Sequence, residues 1–189
     1  MDGEQKKSGG INKQSVVEII RFALITLIIV IPIRAYVAQP FIVNGESMVP
    51  TFQNGEYLIV DELSYHFREP KRGEVIVFRY PEDPAKFFIK RVIGLPGESV
   101  VIQDNQLSII KGNQVITPDE PYVRHEAPYQ NTKINLGADQ YFVMGDNRDV
   151  SSDSRVWGPL TAKLIKGRAF LRLFPLSEMT VLPGQPNNY

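Results

Sequence analysis

One segment limits the possible folds of this chain more than any other. From Val16 to Ile33 it reads VVEIIRFALITLIIVIPI, apolar except for Glu18 and Arg21, directly after a polar stretch rich in Gly, Gln, Lys and Ser. The uncharged part, Phe22 to Ile33, has 12 residues, fewer than the roughly 20 that a spanning helix wants. If Arg21 and Arg34 reach toward the two interfaces and Ala35 to Ala38 prolong the segment, residues 16–38 make about 34 Å of helix, enough to cross a bilayer. Three readings fit: a spanning anchor, a cleavable signal peptide and a buried core helix. Small residues are poorly spaced for cleavage, since Ala38 has Tyr36 two positions before it and Ala35 has Ile33, which favours an uncleaved anchor. Lys6, Lys7, Lys13 and Arg21 precede or open the span, and only Arg34 comes closely after it. The positive-inside rule then predicts a cytoplasmic tail, residues 1–15, and an exported domain, residues 39–189, on a single-pass protein of the cell membrane.

Beyond Pro40 the pattern changes to short apolar runs bounded by Gly, Pro, Asn and Asp. Strands are predicted at Tyr57–Glu62, Glu74–Tyr80, Phe87–Leu95, Ser99–Gln103, Gln106–Lys111, Gln114–Ile116, Gln140–Met144 and Leu164–Phe174. The 14 Gly and 14 Pro supply the turns between them. The fold class expected is mainly β, an antiparallel catalytic core with a small inserted β module, behind one N-terminal transmembrane helix. The insert, residues 97–140, combines a hairpin at Asp104–Gln114 with an irregular stretch at Thr117–Asn135, and is expected to be non-catalytic. From Leu182 the chain is expected to fray.

Lys plus Arg and Asp plus Glu both total 21, so no net positive field exists to capture nucleic acid. The absence of cysteine removes disulfides, thiolate metal sites and cysteine nucleophiles. Two histidines, His66 and His125, are too few for a three-histidine metal site. No metal and no cofactor are expected. Hydrolytic chemistry would have to draw on Ser, Lys, Asp and Arg.

Three stretches could carry it. In Gly45-Glu46-Ser47-Met48-Val49-Pro50-Thr51 a serine between turn-formers could sit at an exposed loop tip, or be an ordinary turn serine. In Phe87-Phe88-Ile89-Lys90-Arg91-Val92-Ile93-Gly94, period two puts Lys90 on one strand face with Phe88 and Val92, so burial could depress its pKa. The plainer alternative is a solvent-facing lysine. Arg91, on the other face, needs a carboxylate or water. Gly145 to Gly158 is dense in Asp, Ser and Arg, either a self-satisfied surface loop or a rigid shelf that orients a neighbouring catalytic group. His125 reads as a loop histidine and Trp157 as a packing anchor. A serine lacking a histidine partner can be activated by a neutral lysine.

In order along the chain, Ser47 to Thr51, Gly55 to Val60, Lys90 to Glu98 and Gly145 to Gly158 resemble the characteristic segments of the type I signal peptidases, membrane-bound Ser/Lys proteases. The resemblance implies removal of signal peptides from exported preproteins after small residues at −3 and −1, through an acyl-enzyme. It implies Ser47 as nucleophile and Lys90 as general base, with Ser151 orienting the Lys90 amine, Asp153 and Arg155 as a supporting ion pair and Asp146 holding the loop. The Ser47 N–H would stabilise the oxyanion. A serine that some members carry two residues before the nucleophile is Gly45 here, leaving a second oxyanion donor unassigned. Phe41, Val43, Met48, Leu58, Val60 and Ile89 would line the substrate pockets, with the substrate added as a strand beside Phe41 to Asn44. The implied partners are signal peptides, the lipid bilayer and a nearby export translocon. Two other classes compete. Self-cleaving repressors share such a dyad but need a DNA-binding helix-turn-helix where this chain has its apolar run, and a catalytically silent membrane-anchored β-domain would bind exported proteins without cutting them.

Overall fold

The computed structural model describes residues 13–32, 38–123 and 130–184, and the chain divides after Val37 into two units. Among its described residues the first contains one helix, α1 (Lys13–Pro32). It begins three residues before the predicted Val16, and the predicted span overran it, since Ala38 already belongs to a strand. Over Lys13–Ile31 its mean hydropathy is 2.2 and its apolar side chains are exposed, so it is long and apolar enough to cross a membrane.

The second unit is built of antiparallel strands. These are β1 (Ala38–Ile42), β2 (Tyr57–Asp61), β3 (Val75–Tyr80), β4 (Asp83–Gly94), β5 (Ser99–Gln103), β6 (Gln106–Lys111), β7 (Gln114–Ile116), β8 (Thr132–Asn135), β9 (Gln140–Met144), β10 (Leu160–Thr161), β11 (Ile165–Phe174) and β12 (Thr180–Val181). The larger sheet runs β1-β2-β11-β3-β4-β9-β10, with β12 on β11, and the smaller runs β7-β6-β5-β8. The mainly β fold and the single apolar helix agree with the sequence expectation.

Four strands lay outside the predicted set. β1 contains Pro40, which lacks a ladder donor, and the chain tolerates it there because β1 is an edge strand paired only to β2. β8 falls inside the stretch expected to be irregular; its one large apolar residue is Ile134, and the edge of β5 supplies its pairing. β10 and β12 have two residues each, too short for any periodicity.

The smaller sheet arises wholly from Ser99–Asn135, between β4 and β9. The β5–β6 hairpin turns at Asp104 and Asn105, with φ of 51° and 63°, the left-handed pair that a tight two-residue hairpin requires. One core cluster, including Ile93, Val100, Ile102, Ile109, Phe142 and Met144, unites this sheet with β4 and β9. Gly94 lies at a bulge in β4, and a Cβ there would come within 2.6 Å of Val100 and 2.7 Å of Leu136, so a side chain would push the sheets apart. A second cluster, Val43, Met48, Phe52, Leu58, Val75 and Ala169, lies beneath the 45–52 turn. The expectation of fraying from Leu182 is corrected for residues 182–184. The Leu182 N–H donates to the Phe170 carbonyl at 2.6 Å, Pro183 is buried, and the Gly184 carbonyl accepts from Arg91.

Candidate active site

Ser47 owes its placement to the turn residues on either side of it. Met48 and Phe52 are 1% and 0% exposed, and the Phe52 N–H donates to the Met48 carbonyl at 2.9 Å, so the turn is pinned into the core by its far side. Its near side is fixed by Gly45, whose N–H donates to Asn54 Oδ1 at 2.9 Å and whose φ of +93° lies in the region glycine favours. Ser47 remains half-buried, and among the described residues its N–H has no hydrogen-bond partner.

Lys90 reaches the same point from β4, where it stands opposite Ile76. Its Nζ lies 2.8 Å from Ser47 Oγ and 2.9 Å from the Ile89 carbonyl, with the Phe88 ring centroid at 5.2 Å. The residue is 4% exposed and has no ion pair among the described residues. Burial withdraws water from the ammonium and lowers its pKa to about 8, against the opposing charges of Asp153 and Asp146. The predicted face holds: a lysine between Phe88 and Val92 is desolvated.

Arg91 leaves the strand on the other side, fully buried. Its Nε and Nη2 donate to the two oxygens of Asp146 at 2.8 and 2.6 Å, and Nη1 donates to the Gly73 carbonyl at 2.8 Å. Thr51 Oγ1 also donates to Asp146, so the loop after β9 grips the strand of Lys90 and the turn of Ser47 together. Asp153 accepts from Arg155 through both oxygens, at 2.8 and 2.9 Å, and from the Gly145 N–H at 3.0 Å. It also caps a single helical turn, α2 (Ser154–Trp157). Gly145 is irreplaceable at this crossing. A Cβ there would lie 2.4 Å from the Ser47 carbonyl oxygen and 2.3 Å from Ser151 Oγ.

Among the described residues the buried hydroxyl of Ser151 has no hydrogen-bond partner, so in this structure it does not touch the Lys90 amine. Trp157 packs against Phe78 and Tyr80, as expected of an anchor. His125 lies outside the described residues.

An open cleft of about 530 Å³ runs past Ser47 and Lys90. Of the residues named for the substrate pockets, Phe41, Val43, Leu58 and Ile89 line it. Met48 and Val60 do not; at 1% and 0% exposure they are part of the interior behind the wall. Sequence reasoning did not find Lys86, Phe87, Phe88 and Val150 on the lining. Phe41 and Phe87 meet edge to face at 5.2 Å, and Phe87 could have been suspected as the partly exposed aromatic on the strand of Lys90. The cleft offers an extended chain an apolar trough, a hydroxyl held by a desolvated amine, and a free backbone donor beside that hydroxyl. Those are the parts of a nucleophilic acyl-transfer site.

Comparison with known proteins shows which family the chain resembles. Residues 16–174 match the family model described as "Signal peptidase, peptidase S26". A probable signal peptidase I-1 from Synechocystis is 37% identical over 172 residues, covering 87% of this chain and 86% of that protein. Signal peptidase I from Leptolyngbya laminosa is 37% identical, covering 87% and 82%. Signal peptidase I P from Bacillus subtilis subsp. natto is 34% identical, covering 94% and 97%.

Proposed function

Since the chain belongs to the signal peptidase family, peptidase S26, and is a serine peptidase that removes signal peptides, we propose that Ser47 is its nucleophile and Lys90 its general base. The observation that carries this reading is the 2.8 Å approach of Ser47 Oγ to an amine that burial brings to a pKa of about 8. A useful fraction of Lys90 is then neutral near neutral pH and can take the Ser47 proton as Oγ attacks the scissile carbonyl. The tetrahedral oxyanion faces the Ser47 N–H. Collapse expels the mature protein's amino group, which takes the proton from the Lys90 ammonium, and leaves the signal peptide esterified to Ser47. Lys90 next deprotonates a water, which hydrolyses the ester and frees both the serine and the signal-peptide carboxylate.

The pocket formed by Phe41, Val43, Leu58 and Ile89 suits small apolar side chains, which supports cleavage after small residues at −3 and −1 with the substrate laid beside β1. Met48 and Val60 shape it from behind. Asp153 with Arg155, and Asp146 with Arg91, hold the loop; Ser151 orients the Lys90 amine once its hydroxyl turns to it. The helix α1 anchors the chain by a single pass, and its flanking charges place the tail in the cytoplasm and the peptidase on the exported side, near the translocon that delivers its substrates.

The test is cleavage of a preprotein with Ala at −1 and −3 by the full chain in detergent, beside Ser47→Ala and Lys90→Ala. Wild type is expected to cut at that junction and both variants, folded by circular dichroism, to be inactive. Cleavage at full rate by either variant overturns the dyad.

A further inference from the structure

The segment joining β7 to β8 was expected to be irregular and non-catalytic, and its Glu120-Pro121-Tyr122 touches Arg91 and Arg148. The Tyr122 ring lies against the Arg91 guanidinium, 3.8 Å from ring centroid to Cζ, a face that no other described group covers at that distance. The edges of the same guanidinium hold Asp146 and the Gly73 and Gly184 carbonyls. Glu120 holds Arg148 through both carboxylate oxygens, at 3.0 and 2.5 Å, and accepts from the Tyr122 hydroxyl at 3.0 Å. Arg148, 3% exposed, donates from Nε to the Gly145 carbonyl at 3.0 Å. Gly145 is the residue packed on the Ser47 carbonyl and Ser151.

Two routes therefore lead from this turn to the reacting groups. One runs from the Tyr122 ring through Arg91 and Asp146 to Thr51, four residues after the nucleophile. The other runs from Glu120 through Arg148 to Gly145 and the Ser47 carbonyl. Both routes are stiff, being a close cation–π contact and two-point ion pairs between largely buried groups.

We infer that Glu120 and Tyr122 are positioning residues for the reaction, and that the insert carrying them is part of the catalytic scaffold. This rests on the Ser47 and Lys90 assignment. Neither side chain lines the cleft, so loosening them disturbs the alignment of Oγ and Nζ and leaves substrate binding alone.

The experiment measures kcat and KM with a preprotein substrate for the full chain in detergent. Variants are Tyr122→Leu, Tyr122→Phe, Glu120→Ala and Glu120→Gln, with Leu107→Ala as a control for lost stability in the same insert. Tyr122→Leu and Glu120→Ala are expected to lower kcat by about 10- to 100-fold with KM within twofold of wild type. Tyr122→Phe, which keeps the ring, recovers most of the loss, and Glu120→Gln lies between. Leu107→Ala lowers the unfolding midpoint and keeps kcat. Wild-type kcat in Tyr122→Leu, or an equal kcat loss in Leu107→Ala, overturns the inference. Should Tyr122→Leu not fold, Glu120→Gln decides alone, a kcat unchanged from wild type refuting the positioning role. Ser47→Ala and Lys90→Ala are assayed in parallel. Their cleavage would refute the dyad itself, whereas inactive dyad variants beside a fully active Tyr122→Leu refute only the positioning role.

Discussion

Lys90 and Arg91 are neighbours on one strand, both buried cations, and the protein treats them in opposite ways. On the Arg91 side it supplies a bidentate carboxylate, carbonyl oxygens and an aromatic face, so the charge is matched from nearly every direction. On the Lys90 side it supplies one hydroxyl, one carbonyl, the Phe88 ring at 5.2 Å and the edge of an apolar cleft, with no carboxylate paired to it among the described residues. Strand geometry makes this possible, since successive side chains point to opposite faces and meet unrelated surroundings. A matched cation holds structure together. An unmatched one prefers to lose its proton, and that preference is what a general base needs. The carboxylates of Asp146 and Asp153 are near enough to oppose the shift and are already engaged by Arg91 and Arg155.

The sharpest way to break this contrast is to make the two cations alike. Lys90→Arg puts a permanently charged, forked group where a reversible one is needed, and kcat is expected to fall by about 10^3-fold or more although the positive charge is retained. Single-turnover cleavage measures it, and activity within tenfold of wild type would show that proton transfer does not run through this side chain. The converse experiment removes the match. Asp146→Ala leaves the Arg91 guanidinium fully buried without its carboxylate, at an expected cost of about 3–5 kcal/mol in urea unfolding. A loss below about 1 kcal/mol would mean that the carbonyls and Tyr122 suffice for Arg91. Next in size is the pH dependence of the intact enzyme. Below about pH 8 the rate is expected to rise close to tenfold per pH unit and then level off, as Lys90 loses its proton. A rate flat between pH 6 and 8 would contradict a lysine base.

Much of this contrast was legible in the sequence, through parity. Alternation placed Lys90 on one face with Phe88 and Val92, which left burial and solvent exposure both open, and Arg91 on the other face needed a carboxylate or water. Which partner was not legible. Asp146 lies 55 residues away, brought in by the pairing of β4 with β9. The same limit explains Met48 and Val60. Alternation puts Leu58 and Val60 on one face of β2, and only the three-dimensional extent of the cleft decides that Leu58 borders it while Val60 lies behind. Tyr122 and Gly184 belong to irregular segments without periodicity, so their approach to Arg91 left no local signal. The short edge strands were missed for a related reason, since their pairing is supplied by a neighbour and not by their own side chains.

The smallest effect concerns stability and separates the two cations most cleanly. Folding lowers the Lys90 pKa from the usual 10.5 to about 8, so the folded state holds its proton less tightly than the unfolded chain does. Between those pH values the unfolded state binds more protons, and stability rises with pH. Below pH 8 the full penalty applies, about 3 kcal/mol at 1.36 kcal/mol per unit, and above 10.5 it has vanished. Lys90→Met fills similar space without a charge and is therefore expected to be inactive yet more stable than wild type at pH 7, by up to about 3 kcal/mol less any packing loss. That advantage should shrink steadily toward pH 10 in urea titrations of both proteins in the same detergent. An advantage independent of pH would trace the gain to packing, and no advantage at pH 7 would mean that water reaches the amine. In either case Lys90 would be a cation satisfied like Arg91, and the contrast between the two sides of β4 would not account for the base.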